Sequence, residues 1–62
     1  MTNLQKRIRS MADTEGYTFI RVGRGSPANM NTIKSLRSAG YICVRRGYEG
    51  TMEVWQVSAQ HI

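Results

Sequence analysis

The sequence is poor in the residues that covalent chemistry, metal binding and membrane insertion require. Its one cysteine, Cys43, allows neither an internal disulfide nor a cysteine zinc cluster, and fits a reducing cytoplasm. Its one histidine, His61, stands beside the C-terminus with no carboxylate near it in sequence, so it reads as part of a terminal tail and not as a ligand or general base. Ser26 follows a glycine, but no base is placed to activate it, and it reads as a helix cap. No set of acid, base and nucleophile can be assembled, so an enzyme is not expected, nor is a cofactor. No apolar run approaches the roughly 18 to 20 residues that span a bilayer. Lys6, Arg7 and Arg9 are not followed by the apolar stretch of a signal peptide, so the chain is expected to be unprocessed, cytoplasmic and free of membrane contact.

Acids are scarce as well. Four Asp and Glu face nine Lys and Arg, a net charge of +5 on 62 residues. That balance favours polyanionic partners without choosing among DNA, RNA, acidic proteins and anionic lipid. Apolar residues make up 40% of the chain and recur throughout it, which excludes a disordered basic tail. One domain over residues 1–62 is expected, small enough for its stability to be marginal.

Thr2 and Asn3 are candidate caps for a first helix running to about Asp13, with Leu4, Ile8 and Met11 on its buried face. Tyr17 to Val22 is rich in β-branched and aromatic residues between two glycines and reads as a strand. Tyr17, Phe19 and Arg21 share one side of it, Thr18, Ile20 and Val22 the other. Gly23-Arg24-Gly25 makes a cationic loop, suited to an anion beside a helix terminus. Ser26-Pro27 predicts a cap and first position for a second helix, with Met30, Ile33 and Leu36 inward and Gly40 as its stop. Tyr41–Arg46 and Thr51–Val57 form a hairpin around Gly47-Tyr48-Glu49-Gly50. Both faces of these strands are partly apolar, so the first strand or a second subunit is expected to cover the surplus. The fold class is α+β, in the order helix, strand, helix, hairpin, with a small antiparallel sheet.

From Ser26 to Val57 the sequence resembles the recognition helix and wing of a winged helix-turn-helix domain. The carriers are the capped helix with small polar exposed residues, its inward Ile33 and Leu36, the Ala39-Gly40-Tyr41-Ile42 run, and the hairpin with Arg45-Arg46 before its turn. The resemblance implies a reduced winged-helix-like domain that binds double-stranded DNA and regulates transcription; the shortness of the domain adds a homodimer to the expectations. Asn31, Thr32 and Ser35 would then read bases. Asn29 and Lys34 would complete the helix face, and Arg24, Arg37, Arg45 and Arg46 would hold phosphates. One departure stands out: the family's bracing helix before the recognition helix is replaced by Tyr17 to Gly25, which reads as strand and loop. A fainter resemblance, in size, charge and hairpin, is to small early proteins of bacteriophages that bind host transcription machinery. It implies an alternative, a protein-interaction factor against RNA polymerase or a nucleoid protein, with Tyr41, Tyr48 and Trp55 at the interface. Short basic toxins of the HicA type share the glycine-aromatic strand and glycine-serine turn, but Pro27 stands where their catalytic histidine would follow.

Overall fold

The computed structural model describes residues 3–59; Thr2 and His61 lie outside the described residues. Within them the fold is α+β, with two helices and one three-stranded antiparallel sheet: α1 Asn3–Glu15, β1 Tyr17–Val22, α2 Met30–Ser38, β2 Ile42–Glu49 and β3 Met52–Ser58. The strand order is β1-β3-β2, so the last strand made is the middle one. β1 lies against β3 from Tyr17 opposite Ser58 to Val22 opposite Glu53, and β2 from Ile42 opposite Ser58 to Glu49 opposite Met52.

α1 runs two residues past the expected end, to Glu15, and closes where the Gly16 N–H donates to the Ala12 carbonyl at 2.8 Å. Its buried residues are Ile8 and Ala12, with Leu4 packed against the core. Met11, expected inside, is 52% exposed. The small Ala12 brings the helix close to the sheet, and Met11, about 100° further round, is left on the rim.

α2 begins three residues later than Ser26-Pro27 predicts. Ala28 is held in extended form by a bridge to Val22, so Asn29 becomes the cap. Its side-chain oxygen accepts from the N–H groups of Asn31 at 2.9 Å and Thr32 at 3.2 Å, while its own N–H donates to the Thr32 hydroxyl at 3.2 Å, a reciprocal capping box. Ser26 caps nothing: its hydroxyl donates to the Arg21 carbonyl at 2.6 Å and accepts from the Ala28 N–H, closing the loop between β1 and α2. Met30, expected inside, lies on the surface: at about 100° per residue Thr32 stands nearer than Met30 to the midline of Ile33 and Leu36, and it is Thr32 that is buried. At the other end Gly40 takes φ +98°, a conformation natural to glycine. It lets the N–H groups of Gly40 and Tyr41 reach the carbonyls of Arg37 and Leu36, the paired bonds of a Schellman cap.

The hairpin turn is shorter than expected. Only Gly50 and Thr51 separate paired Glu49 and Met52, and Gly50 has φ +65° while Thr51 does not have positive φ, as a type II′ turn requires. Between Arg45 and Gly47 the register shifts by one, so Arg46 is the extra residue of a β-bulge.

Both helices cover the same face of the sheet, α1 over β1 and β3, and α2 beside β2. Between them and the sheet lies one core of Ile8, Ala12, Val22, Ala28, Ile33, Leu36, Cys43, Trp55 and Val57. Replacing Leu36, 1% exposed, by Ala is expected to cost about 2–5 kcal/mol, most of what a domain this small holds, roughly 3–5 kcal/mol. Thermal melting by circular dichroism should find Leu36→Ala largely unfolded at room temperature and Met11→Ala within about 0.5 kcal/mol of the parent. Asn29→Ala should fall between them, at a loss of about 1 kcal/mol.

Candidate nucleic-acid interface

Strand register and helix position decide where the cations lie. Residues opposite one another across a sheet share a face. Arg45 stands opposite the buried Trp55 and therefore faces the helix side. Lys6, Arg7, Arg9, Lys34 and Arg37 are carried by the helices on that same side. Arg21 projects from the opposite face, where it is neutralised by Glu49 at 2.9 Å. The fold thus separates charge: the helix-bearing side is cationic and the outer face of the sheet carries an internally paired couple.

Along α2, about 100° per residue sets Met30, Lys34 and Arg37 on the flank toward the hairpin and Asn31 and Ser35 on the other exposed flank. Arg37 fixes that assignment. It donates to the Cys43 carbonyl at 3.0 Å and lies over the Trp55 ring at 5.4 Å, which ties α2 to β2 and β3. Further along the hairpin Arg45 lies over the Tyr48 ring, also at 5.4 Å. Two cation–aromatic stacks thus run from the flank of α2 to the hairpin, with exposed Lys34 beside them. Glu53, opposite Tyr48, accepts from the Trp55 indole N–H at 3.0 Å.

Several residues expected to touch a ligand are committed elsewhere. Thr32 is buried and its hydroxyl serves the cap, so it cannot read a base. Asn29 is exposed, but its side-chain oxygen is taken by two backbone donors. Arg37 is a structural tie before it is a phosphate contact. Asn31, Lys34 and Ser35 are exposed on α2, and Arg45 and Arg46 on β2. Arg24 is exposed in the β1–α2 loop, whose Gly23 lies against Met52 at the start of β3. It therefore sits at the hairpin-tip end of the sheet, away from the middle of α2.

The aromatic residues expected at a protein interface are divided in the same way. Trp55 is 8% exposed and belongs to the core. Tyr41 is half-buried; its hydroxyl donates to the Asp13 carboxylate at 2.8 Å and its ring sits 5.5 Å from the Arg9 guanidinium, so it clamps α1 to the end of α2. Tyr48 alone of the three is well exposed, at 65%. Tyr17 and Phe19, which are not among the expected contact residues, lie exposed and edge to face, 5.6 Å apart, on the outer face of the sheet. Their signal was present in the alternation of β1.

A recess of about 360 Å³ opens between α1 and the β1–α2 loop, lined by Leu4, Ile8, Ile20, Pro27 and Met52, with Arg21 and the committed Ser26 at its polar side. Among the described residues no three His, Cys, Asp or Glu side chains gather as a metal site would need, and no helix is long and apolar enough to cross a membrane. No family model, curated protein or solved structure matches this chain.

Burial pushes the Cys43 thiol above the ordinary range, against a smaller opposing pull from Arg37. The folded state therefore holds the proton more tightly. Stability from this group is full below the unfolded thiol's range and declines as pH rises from about 8.5 toward the folded value. Cys43→Ala should flatten that alkaline decline in melting temperature, and the native thiol should react with a disulfide reagent at pH 8 far more slowly than the denatured one. Arg37→Lys keeps the charge but loses the planar stack, and should lower stability by about 1 kcal/mol in a denaturant titration.

Proposed function

We propose that this protein binds double-stranded DNA through α2 and the helix-side face of the β2–β3 hairpin, as a small winged-helix-like transcriptional regulator acting in the cytoplasm. The observation that carries the reading is the separation of charge. Lys34 on α2 and Arg45 on the hairpin flank one surface; of the hairpin's two acids, Glu49 is paired to Arg21 on the opposite face, and Glu53, which accepts from the Trp55 indole N–H, is the single hairpin acid on the helix side, where the cations outnumber it. A helix with short polar side chains beside a basic hairpin suits a major groove flanked by phosphates. Asn31 and Ser35 are the base readers in this account, Lys34, Arg45 and Arg46 the phosphate contacts, and Arg24 an outlying one. The bracing helix of the resembled family has no counterpart between β1 and α2. Its mechanical task falls to the Arg37 tie and to the Tyr41 clamp, which hold α2 from the sheet side and from α1.

The alternative of a phage-type factor that inhibits host polymerase or a nucleoid protein has less support from the residues first named for it. Only Tyr48 among them offers an open aromatic surface.

Fluorescence anisotropy of a labelled mixed-sequence duplex, at about 50 and 200 mM salt, tests the DNA reading. Binding should weaken steeply with salt. Lys34→Ala and Arg45→Ala should each reduce the slope of log affinity against log salt by about 0.9 and weaken binding roughly five- to tenfold, about 1–1.4 kcal/mol. The melting temperature of Lys34→Ala should stay unchanged, and that of Arg45→Ala should fall only slightly, through the loss of its exposed stack on Tyr48. Binding unaltered in the Lys34→Glu, Arg45→Glu double variant would remove the assignment.

A further inference from the structure

The side of the sheet turned away from the helices carries four of the seven large apolar side chains left exposed among the described residues. Its first row is Tyr17, Ser58 and Ile42, its second Phe19, Gln56 and Val44, followed by Arg21 and Val54. Tyr17, Phe19, Ile42 and Val44 are 50%, 54%, 48% and 46% exposed. The first two rows hold no charge, the third holds Arg21 paired to Glu49, and the bulged Arg46 stands at the border on the β2 edge. Both outer strands of the face are sheet edges, and no helix is left in the described chain to cover it.

We infer that this face is the contact between two copies of the chain, stacked sheet on sheet. Two chains of net charge +5 repel each other over most of their surfaces, and this is the face on which charge is absent or already paired. A polyanion gains nothing there and is drawn to the helix side. The face is also self-complementary. A two-fold axis along β3, between the stacked sheets, sets β1 of one copy over β2 of the other, so that Tyr17 meets Ile42 of the second copy and Phe19 meets its Val44. Aromatic rings on one edge thus pack on aliphatic chains from the other.

The face is small. Strands of six to eight residues at about 3.3 Å per residue, spaced about 4.8 Å apart, give a face of roughly 20 by 14 Å. With side-chain relief its stacking buries on the order of 800 Å² in total, below the roughly 1,200–2,000 Å² of a standing interface. A contact of this size belongs with weak, transient associations, and it leaves the helix sides of both copies facing outward. The inference stands independently of the DNA reading, and salt separates the two: screening weakens duplex binding and strengthens association of like-charged copies.

Sedimentation equilibrium of nuclease-treated protein from about 10 to 500 µM, at about 0.1 and 0.5 M salt, tests it. The mass should rise from that of one chain to that of two as concentration increases, with association several-fold tighter at high salt. Phe19→Glu should stay monomeric throughout with an unchanged circular dichroism spectrum. Val44→Glu, on the opposite edge, does the same independently should the first variant fold poorly. A wild-type chain monomeric at every concentration overturns the inference, as does dimerisation undiminished in both folded variants. A monomer whose Phe19 and Val44 resonances shift on adding a single-stranded oligonucleotide also overturns it, and gives the face to nucleic acid.

Discussion

Because β3 is hydrogen-bonded along both edges, it fixes where every other element can lie. Its inward residues, Trp55 and Val57, stand between Ile20 and Thr18 on β1 and Arg45 and Cys43 on β2. The two helices have no other floor. α1 packs through Ile8 and Ala12 over β1 and β3, and α2 through Ile33 and Leu36 beside β2. A chain this short has one core, and closing it depends on the last strand arriving between the first and the second. The fold is therefore non-local at its centre although its capping boxes, turns and helix stops are local.

The same strand separates the two surfaces. Inward positions of the sheet meet helices, and where the helices stop, at the hairpin, they become a platform of Tyr48 and Arg45 continuous with the Arg37 stack on Trp55. Outward positions meet nothing in the chain. Period-two alternation thus yields a cationic, aromatic helix side and a neutral, apolar back. The proposed DNA contact and the proposed dimer contact follow from one physical fact and occupy opposite faces, so neither competes with the other.

Much of this was legible in the sequence because it rests on local chemistry. Gly16 and Gly23 mark the bounds of β1 and its alternation marks the two sides, Gly40 marks the stop of α2, and the helical spacing of Ile33 and Leu36 marks its inner face. What was not legible depends on contacts across the chain. The bridge from Ala28 to Val22 keeps Pro27 out of the helix and passes the cap to Asn29, which takes up the Thr32 hydroxyl. The preference for Ala12 over Met11 follows from how close α1 comes to the sheet. Tyr41 looks like an open aromatic until Asp13 and Arg9 are seen beside it, whereas Trp55, whose mid-strand position already favours the core, is held there under Arg37 and beside Glu53. The strand order, with β3 in the middle, has no local signal at all. It follows from the need to bury Trp55 and Val57 on a strand apolar enough to be paired on both sides.

The division of the molecule into a cationic binding side and a neutral back is tested most directly by backbone amide NMR during titration with a mixed-sequence duplex at about 50 mM salt. The account predicts that shifts concentrate on Asn31, Lys34 and Ser35 of α2 and on Arg45, Arg46 and Tyr48 of the hairpin, while Tyr17, Phe19, Ile42 and Val44 remain still. Shifts confined to those four residues, or spread evenly over both faces, would contradict it.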